Sequence, residues 1–144
     1  MYDNIVKKKV LDNKDDILNK VKHAYGDNLD TLVLFGSITR PDFSINSDID
    51  MFIILKDSPL SLRQRIDEFY KRVGYYFKEH FLSPLILTEK EAKRFHPFYL
   101  GVFDSYIILY DKRNHVTDII NTIKQKIVSK EIIELNHPKK HWII

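Results

Sequence analysis

Residues 31–55, TLVLFGSITRPDFSINSDIDMFIIL, read as strand, loop and strand, and the rest of the chain is arranged around them. Leu32 to Phe35 is a short apolar run bounded by Gly36, the pattern of a buried strand that ends in a tight turn. Gly36 and Ser37 open the loop. A glycine lets the backbone approach a ligand closely, and successive N–H groups leading into a helical turn form a nest for anions. Ten residues separate Ser37 from Asp48. Asp48-Ile49-Asp50 then runs straight into Met51, Phe52, Ile53, Ile54 and Leu55, so the acids sit at the start of a second strand.

In an extended strand residues i and i+2 project to one face, so Asp48 and Asp50 point together while Ile49 and Met51 point away. Two carboxylates this close repel unless something positive lies between them. A small cluster of hard oxygen donors suits a divalent cation such as magnesium. A phosphate nest opposite a metal-binding carboxylate pair is the minimum equipment for moving a phosphoryl or nucleotidyl group. The blander role for the two acids, protection of a strand edge against aggregation, needs no glycine nest upstream. Arg40 has two readings: a surface partner of Asp42, or a neutraliser of phosphate charge.

Gly36-Ser37, a spacer carrying Arg40, and Asp48-x-Asp50 between apolar strands resemble the signature of the nucleotidyltransferase superfamily related to DNA polymerase beta. The short chain and the wording SITRPDFSINSDIDMFII are most similar to the minimal nucleotidyltransferases of prokaryotes. The resemblance is strongest over residues 31–55. It implies that Gly36 and Ser37 hold nucleotide phosphates, that Arg40 neutralises their charge, and that Asp48 and Asp50 are catalytic residues that ligate Mg2+. Many members carry a third carboxylate on the next strand to help activate the acceptor hydroxyl. Here that strand reads Phe81-Leu82-Ser83-Pro84-Leu85-Ile86-Leu87 and has no acid; Ser83 stands at the expected place and Glu79 lies before it.

At 144 residues the chain is long enough for one domain, residues 1–144, with a sizeable core. An apolar fraction of 44% and a charged fraction of 30% are those of a soluble globular protein. No stretch approaches the roughly 20 apolar residues of a membrane span, and the first residues show no signal-peptide pattern, so the expected location is cytoplasmic with no membrane partner. The absence of cysteine excludes disulfides, thiol catalysis and cysteine-ligated zinc. The net charge of +3, from 23 basic and 20 acidic residues, does not itself argue for nucleic acid. Lys7-Lys8-Lys9 reads as a solvated helix face, though it and Lys139-Lys140 leave a nucleic-acid contact open.

Apolar spacing predicts a first helix over Asp3 to Tyr25, with a break near Asp12-Asn13. Ser58-Pro59 predicts the start of a second helix with Leu62, Ile66, Phe69, Tyr70 and Val73 on one face. Phe81 to Leu87 predicts a third strand, which Pro84 places at a sheet edge or a bulge. Thr88 and Glu91 form a capping box for a short helix. Phe98, Tyr99, Val102 and Phe103 form an aromatic turn that packs on the sheet rather than stacking a base. Ser105 to Tyr110 predicts a fourth strand. Val116, Ile119, Ile120, Ile123, Ile127 and Val128 mark the apolar face of a last helix. His137 and His141 are four apart, but the intervening Pro138 opposes a helical metal pair, and the apolar end with Trp142 is expected to dock on the domain or a partner.

The expected fold class is therefore α/β, an α+β mixed sheet of about four strands with flanking helices and the first two strands antiparallel. The activity implied by the resemblance is Mg2+-dependent transfer of a nucleoside monophosphate, AMP from ATP, onto a protein, RNA or small-molecule hydroxyl. The alternative it implies is a catalytically weak or inactive nucleotide-binding protein acting as the antitoxin or regulatory partner of a small helical toxin.

Overall fold

β1 (Leu29–Phe35) and β2 (Ile49–Leu55) form the centre of the sheet, and both are buried along almost their whole length. The computed structural model describes residues 2–135 and 141–143, and the side chains of residues 5–133. β1 and β2 pair antiparallel from Leu29↔Leu55 to Phe35↔Asp50, as the short connection between them requires. A helix, α3 (Leu62–Arg72), carries the chain from the end of β2 back to β4 (His80–Thr88), which pairs with β2 in parallel. With the two-residue β3 (Tyr76–Phe77) and with β5 (Tyr106–Asp111), the order is β3-β4-β2-β1-β5. The sheet is mixed and has five strands, one more than expected, because β3 is too short to leave a periodic signal.

Residue parity sorts the core into two layers. Leu32, Leu34, Met51, Ile53, Leu82 and Ile86 pack with α1 (Tyr2–Leu11), α2 (Lys14–Tyr25) and α3 through Val10, Ile17, Val21 and Phe69. Val33, Phe52, Ile54 and Leu87 pack on the other face with α4 (Glu89–Ala92), α5 (Tyr99–Val102) and α6 (His115–Val128). Tyr99 is almost wholly buried edge-on against Phe52 and donates its hydroxyl to Ala92 O at 2.8 Å, so the aromatic turn is core. The chain ends in a hairpin of β6 (Ile133–Leu135) and β7 (His141–Ile143). His137, Lys139 and Lys140 lie outside the described residues, as do the side chains of His141 and Trp142. No helix among the described residues is long and apolar enough to cross a membrane.

The expected break near Asp12-Asn13 is present and divides two helices. Three expectations are corrected. α3 begins at Leu62, not beside Pro59, because Ser61 and Gln64 form the reciprocal capping box while the Ser58 hydroxyl is taken by Leu60 N–H. Its inward face is also rotated: Leu62 is exposed and Arg65 is buried. Val128, placed on the apolar face of the last helix, is exposed at that helix's end. Pro84 lies on β4 beyond its short pairing with β3, at the sheet edge where a missing N–H costs no ladder bond.

Arg65 is tolerated inside because Glu91 meets it with two hydrogen bonds, 2.6 and 3.2 Å, and Arg65 also donates to Leu60 O and Ile86 O. The Arg65 hydrogen bond pulls the Glu91 carboxyl down to about 2, helped by the Thr88 N–H that it accepts in its own capping box. A carboxylate depressed in the fold stabilises it above the ordinary glutamate pKa of about 4.3 and loses that contribution as pH falls toward the folded value. Glu91→Gln is expected to destabilise by roughly 2 kcal/mol, less than the ~3–5 kcal/mol of a fully buried pair because Glu91 keeps solvent contact. Thermal melts from pH 7 downward check this: the gap between native and variant narrows from about pH 4.5 to about pH 2.

Candidate functional site

β1 leaves the sheet at Phe35, and the chain turns at once through a single 3-10 turn, Gly36–Thr39. Gly36 has φ of +73°, a conformation that side chains disfavour. A Cβ there would also collide with the Asp50 carboxylate, which lies directly over the Gly36 backbone. The glycine is therefore required twice, by the turn and by the acid. Thr39 Oγ1 lies 2.7 Å from Gly36 O and 3.3 Å from Ser105 O, tying the turn to the start of β5. Ile38, fully buried, anchors the turn from below.

The loop to β2 is held as firmly. Phe43 is inserted into the core and rests on the His80 ring at 4.7 Å between centroids. His80 Nδ1 is 2.8 Å from Ser47 O, and since a carbonyl only accepts, that nitrogen carries the proton. The Ser44 N–H in turn donates to Ser47 Oγ at 2.9 Å. The residue just before Asp48 is thus fixed from the neighbouring strand. His80 was not singled out in the sequence; a lone histidine at a strand start carries no signal of what it will touch.

Asp50 is the second residue of β2 and Asp48 immediately precedes the strand, on the face of Phe52 and Ile54 by alternation. Register sets Phe35 beside Asp50 on one side and Ser83 beside it on the other. The position one strand over from Asp50 therefore carries a hydroxyl and no carboxylate. Glu79, with φ of +71°, is exposed in the β3–β4 turn and lines a hollow with Val6, Lys9 and Ile45.

Burial raises the Asp50 pKa above the ordinary aspartate range, the Asp48 charge raises it further, and Arg40 partly offsets both. Arg40 itself sits 3.5 Å from Asp42 with both side chains largely exposed, so its surface pairing and its field at Asp50 coexist. Asp48 also raises the pKa of Tyr70, behind the effect of burial; that tyrosine donates to Leu82 O at 2.9 Å. The structure thus brings Gly36, Asp50, Asp48 and Arg40 to one end of the β1–β2 pair, with Ser37 in the turn between them. Two hard carboxylates whose repulsion Arg40 only partly offsets, one held in a partly dry position, fit a divalent cation. Backbone N–H groups of a glycine-led turn alongside can accept an anion.

A carboxyl whose pKa the fold raises is one the fold penalises when ionised, so stability falls as pH rises from the ordinary aspartate value of about 3.9. Asp50→Asn is expected to raise the melting temperature of the metal-free protein at pH 7 by about 2–5 °C, the shift of roughly 1 kcal/mol for a chain near this size. Below about pH 4 the gain disappears. Gly36→Ala is expected to lower it, because both the turn and the Asp50 carboxylate must shift; differential scanning calorimetry of the two variants reads both effects.

A protein of Methanocaldococcus jannaschii named "Putative protein adenylyltransferase MJ1305" is 30% identical over 139 residues, covering 90% of each chain. Among solved structures, a chain of a toxin–antitoxin complex with AMP-PNP superimposes with a TM-score of 0.59 at 16% identity, over 83% of this chain and 90% of that one. A chain of the toxin–antitoxin MntA-HepT gives 0.52 at 14% identity, over 83% and 91%. These two likenesses are of fold. The sequence profile described as "Nucleotidyltransferase domain" matches residues 14–141, from the first residue of α2 into the terminal hairpin. The chain belongs to the nucleotidyltransferase domain family and is a nucleotidyltransferase.

Proposed function

We propose that the chain works as one domain that transfers AMP from ATP to a hydroxyl group on a partner protein. The observation that carries the reading is the Asp50 carboxylate lying over Gly36, which sets the acid pair against the turn that can take phosphates. The named relative, alike along nearly its whole length, supports adenylyl transfer to protein. The complex with AMP-PNP supports an adenine nucleotide, and the two toxin–antitoxin neighbours support a protein partner such as a small helical toxin.

In this reading the N–H groups of Gly36 and Ser37 cradle the β- and γ-phosphates, and Arg40 adds positive charge from the loop. Asp48 and Asp50 would hold Mg2+, which when bound neutralises the charge that develops as pyrophosphate leaves. The acceptor hydroxyl attacks the α-phosphorus in line, and the Gly36–Thr39 turn keeps the phosphate tail fixed while it does so. Ser83 beside Asp50 supplies no general base. Activation of the acceptor then falls to the bound ion or to a group the acceptor brings.

That same Ser83 favours a second reading, in which the domain binds nucleotide and neutralises its partner by covering it, with little turnover. Incubation of a host-cell extract with ATP labelled at the α-phosphate and Mg2+ separates the two. The transferase reading expects label in a discrete protein band with the native chain, and a loss of at least a hundredfold with Asp50→Asn. Mg2+-dependent ATP binding without any labelled band favours the covering role. Label in RNA and not in protein contradicts the proposed acceptor.

A further inference from the structure

At the other end of β1, three ligand-type side chains from three elements converge: Asp30 of β1, Glu89 at the start of α4 and His115 at the start of α6. Asp30 to Phe35 is five residues of strand, roughly 17 Å, so this cluster is separate from the Asp48–Asp50 pair. His115 Nε2 is 2.9 Å from Asp30 Oδ2 and 4.0 Å from Glu89 Oε1. Asp30 is completely buried, and its second oxygen, Oδ1, has no hydrogen-bond partner. A buried carboxylate with one satisfied oxygen is an expensive group to keep unless something positive joins it.

We propose that Asp30, Glu89 and His115 form a second metal site, distinct from the nucleotide site, that takes a borderline divalent cation such as Zn2+. Tetrahedral zinc, with bonds of about 2.0–2.1 Å, holds its ligand atoms about 3.3 Å apart, and the present 2.9 and 4.0 Å separations straddle that spacing. The three ligand atoms lie within 4.8 Å of one another, so closure needs side-chain shifts of about 1–2 Å on a backbone already fixed. His115 N–H and Val116 N–H both donate to the Asp111 carboxylate at 3.1 Å, and Lys112 N–H donates to Asp30 O at 2.8 Å. Arg113 holds the far oxygen of Glu89, Oε2, at 3.2 Å and so turns Oε1 toward the histidine. Orientation of a ligand by such an outer partner is a regular feature of metal sites.

The metal-free arrangement is a His115–Asp30 hydrogen bond, with the imidazole proton on Nε2 standing where the cation would bind. Zinc at Nε2 requires the other tautomer, so the proton moves from Nε2 to Nδ1 and the imidazole stays neutral. Lys93 Nζ, 3.8 Å from Glu89 Oε1 on a largely exposed side chain, swings away. His115 also lines a cavity of about 150 Å³ between α4 and α6, which leaves room for a water on the histidine's side of the cluster. The nitrogen ligand disfavours magnesium, so the two ends of β1 would select different metals. The site would staple β1, α4 and α6.

The test uses the full chain with Asp48→Asn and Asp50→Asn, which silences the other carboxylate pair, stripped with EDTA and titrated with Zn2+ by calorimetry. Co2+ substitution provides a visible absorption readout. The expected result is one equivalent of Zn2+ bound, weakened at least tenfold by Glu89→Gln and lost with His115→Asn. The melting temperature should rise with zinc only where the site is intact. Glu89 is partly exposed, so Glu89→Gln keeps the fold and remains informative if the histidine variant does not. Absence of one-equivalent binding, or equal affinity in the Glu89→Gln chain, overturns the proposal.

Discussion

Two like charges held at one end of a strand, with Asp50 partly withdrawn from water, set the terms for everything around them. A chain left to minimise its own free energy would not put Asp48 and Asp50 on one face of a central strand, where each raises the energy of the other. They are kept there by elements with no choice of position. β2 is buried on both faces, so a one-residue slip would exchange Met51 and Ile53 with Phe52 and Ile54 between two layers packed for the other set. The loop before it is held by Phe43 and by the His80–Ser47 hydrogen bond. The turn after β1 is held by Ile38 and Thr39. Stability supplied by the apolar layers thus sustains an arrangement that is electrostatically unfavourable on its own.

The juxtaposition of the candidate residues was legible because its constraint is local. A glycine, a serine and two alternate acids between apolar runs lie within one 25-residue stretch, and period-2 geometry alone aligns the carboxylates. The antiparallel pairing followed from the short loop, and the edge place of β4 from Pro84. The positions that escaped notice are those decided by distant partners. Arg65 reads as a solvated helix residue until Glu91 and the Ile86 carbonyl are brought to it. Leu62 reads as core until the Ser61 cap sets where the helix starts and so which way it faces. His80 and the Asp30–His115 pair depend on contacts 33 and 85 residues apart, which no spacing rule anticipates.

The central strand β1 organises both ends of the molecule. Its last residue neighbours Asp50, while its second residue, Asp30, lies under the N-termini of α4 and α6. The helices that cover the Phe52 face are therefore tied to the strand that delivers the Gly36 turn. These helices meet the sheet through closely packed side chains such as Val33, Phe52 and Tyr99.

The most direct test of the central claim is a crystal structure with Mn2+ and an ATP analogue whose α–β bridge cannot be cleaved. Anomalous density is expected between Asp48 and Asp50, with the triphosphate against the Gly36–Ser37 backbone and the α-phosphorus open to solvent beside Ser83. Nucleotide bound elsewhere, or a metal that does not touch both aspartates, would contradict the assignment of this end of the β1–β2 pair as the site of transfer.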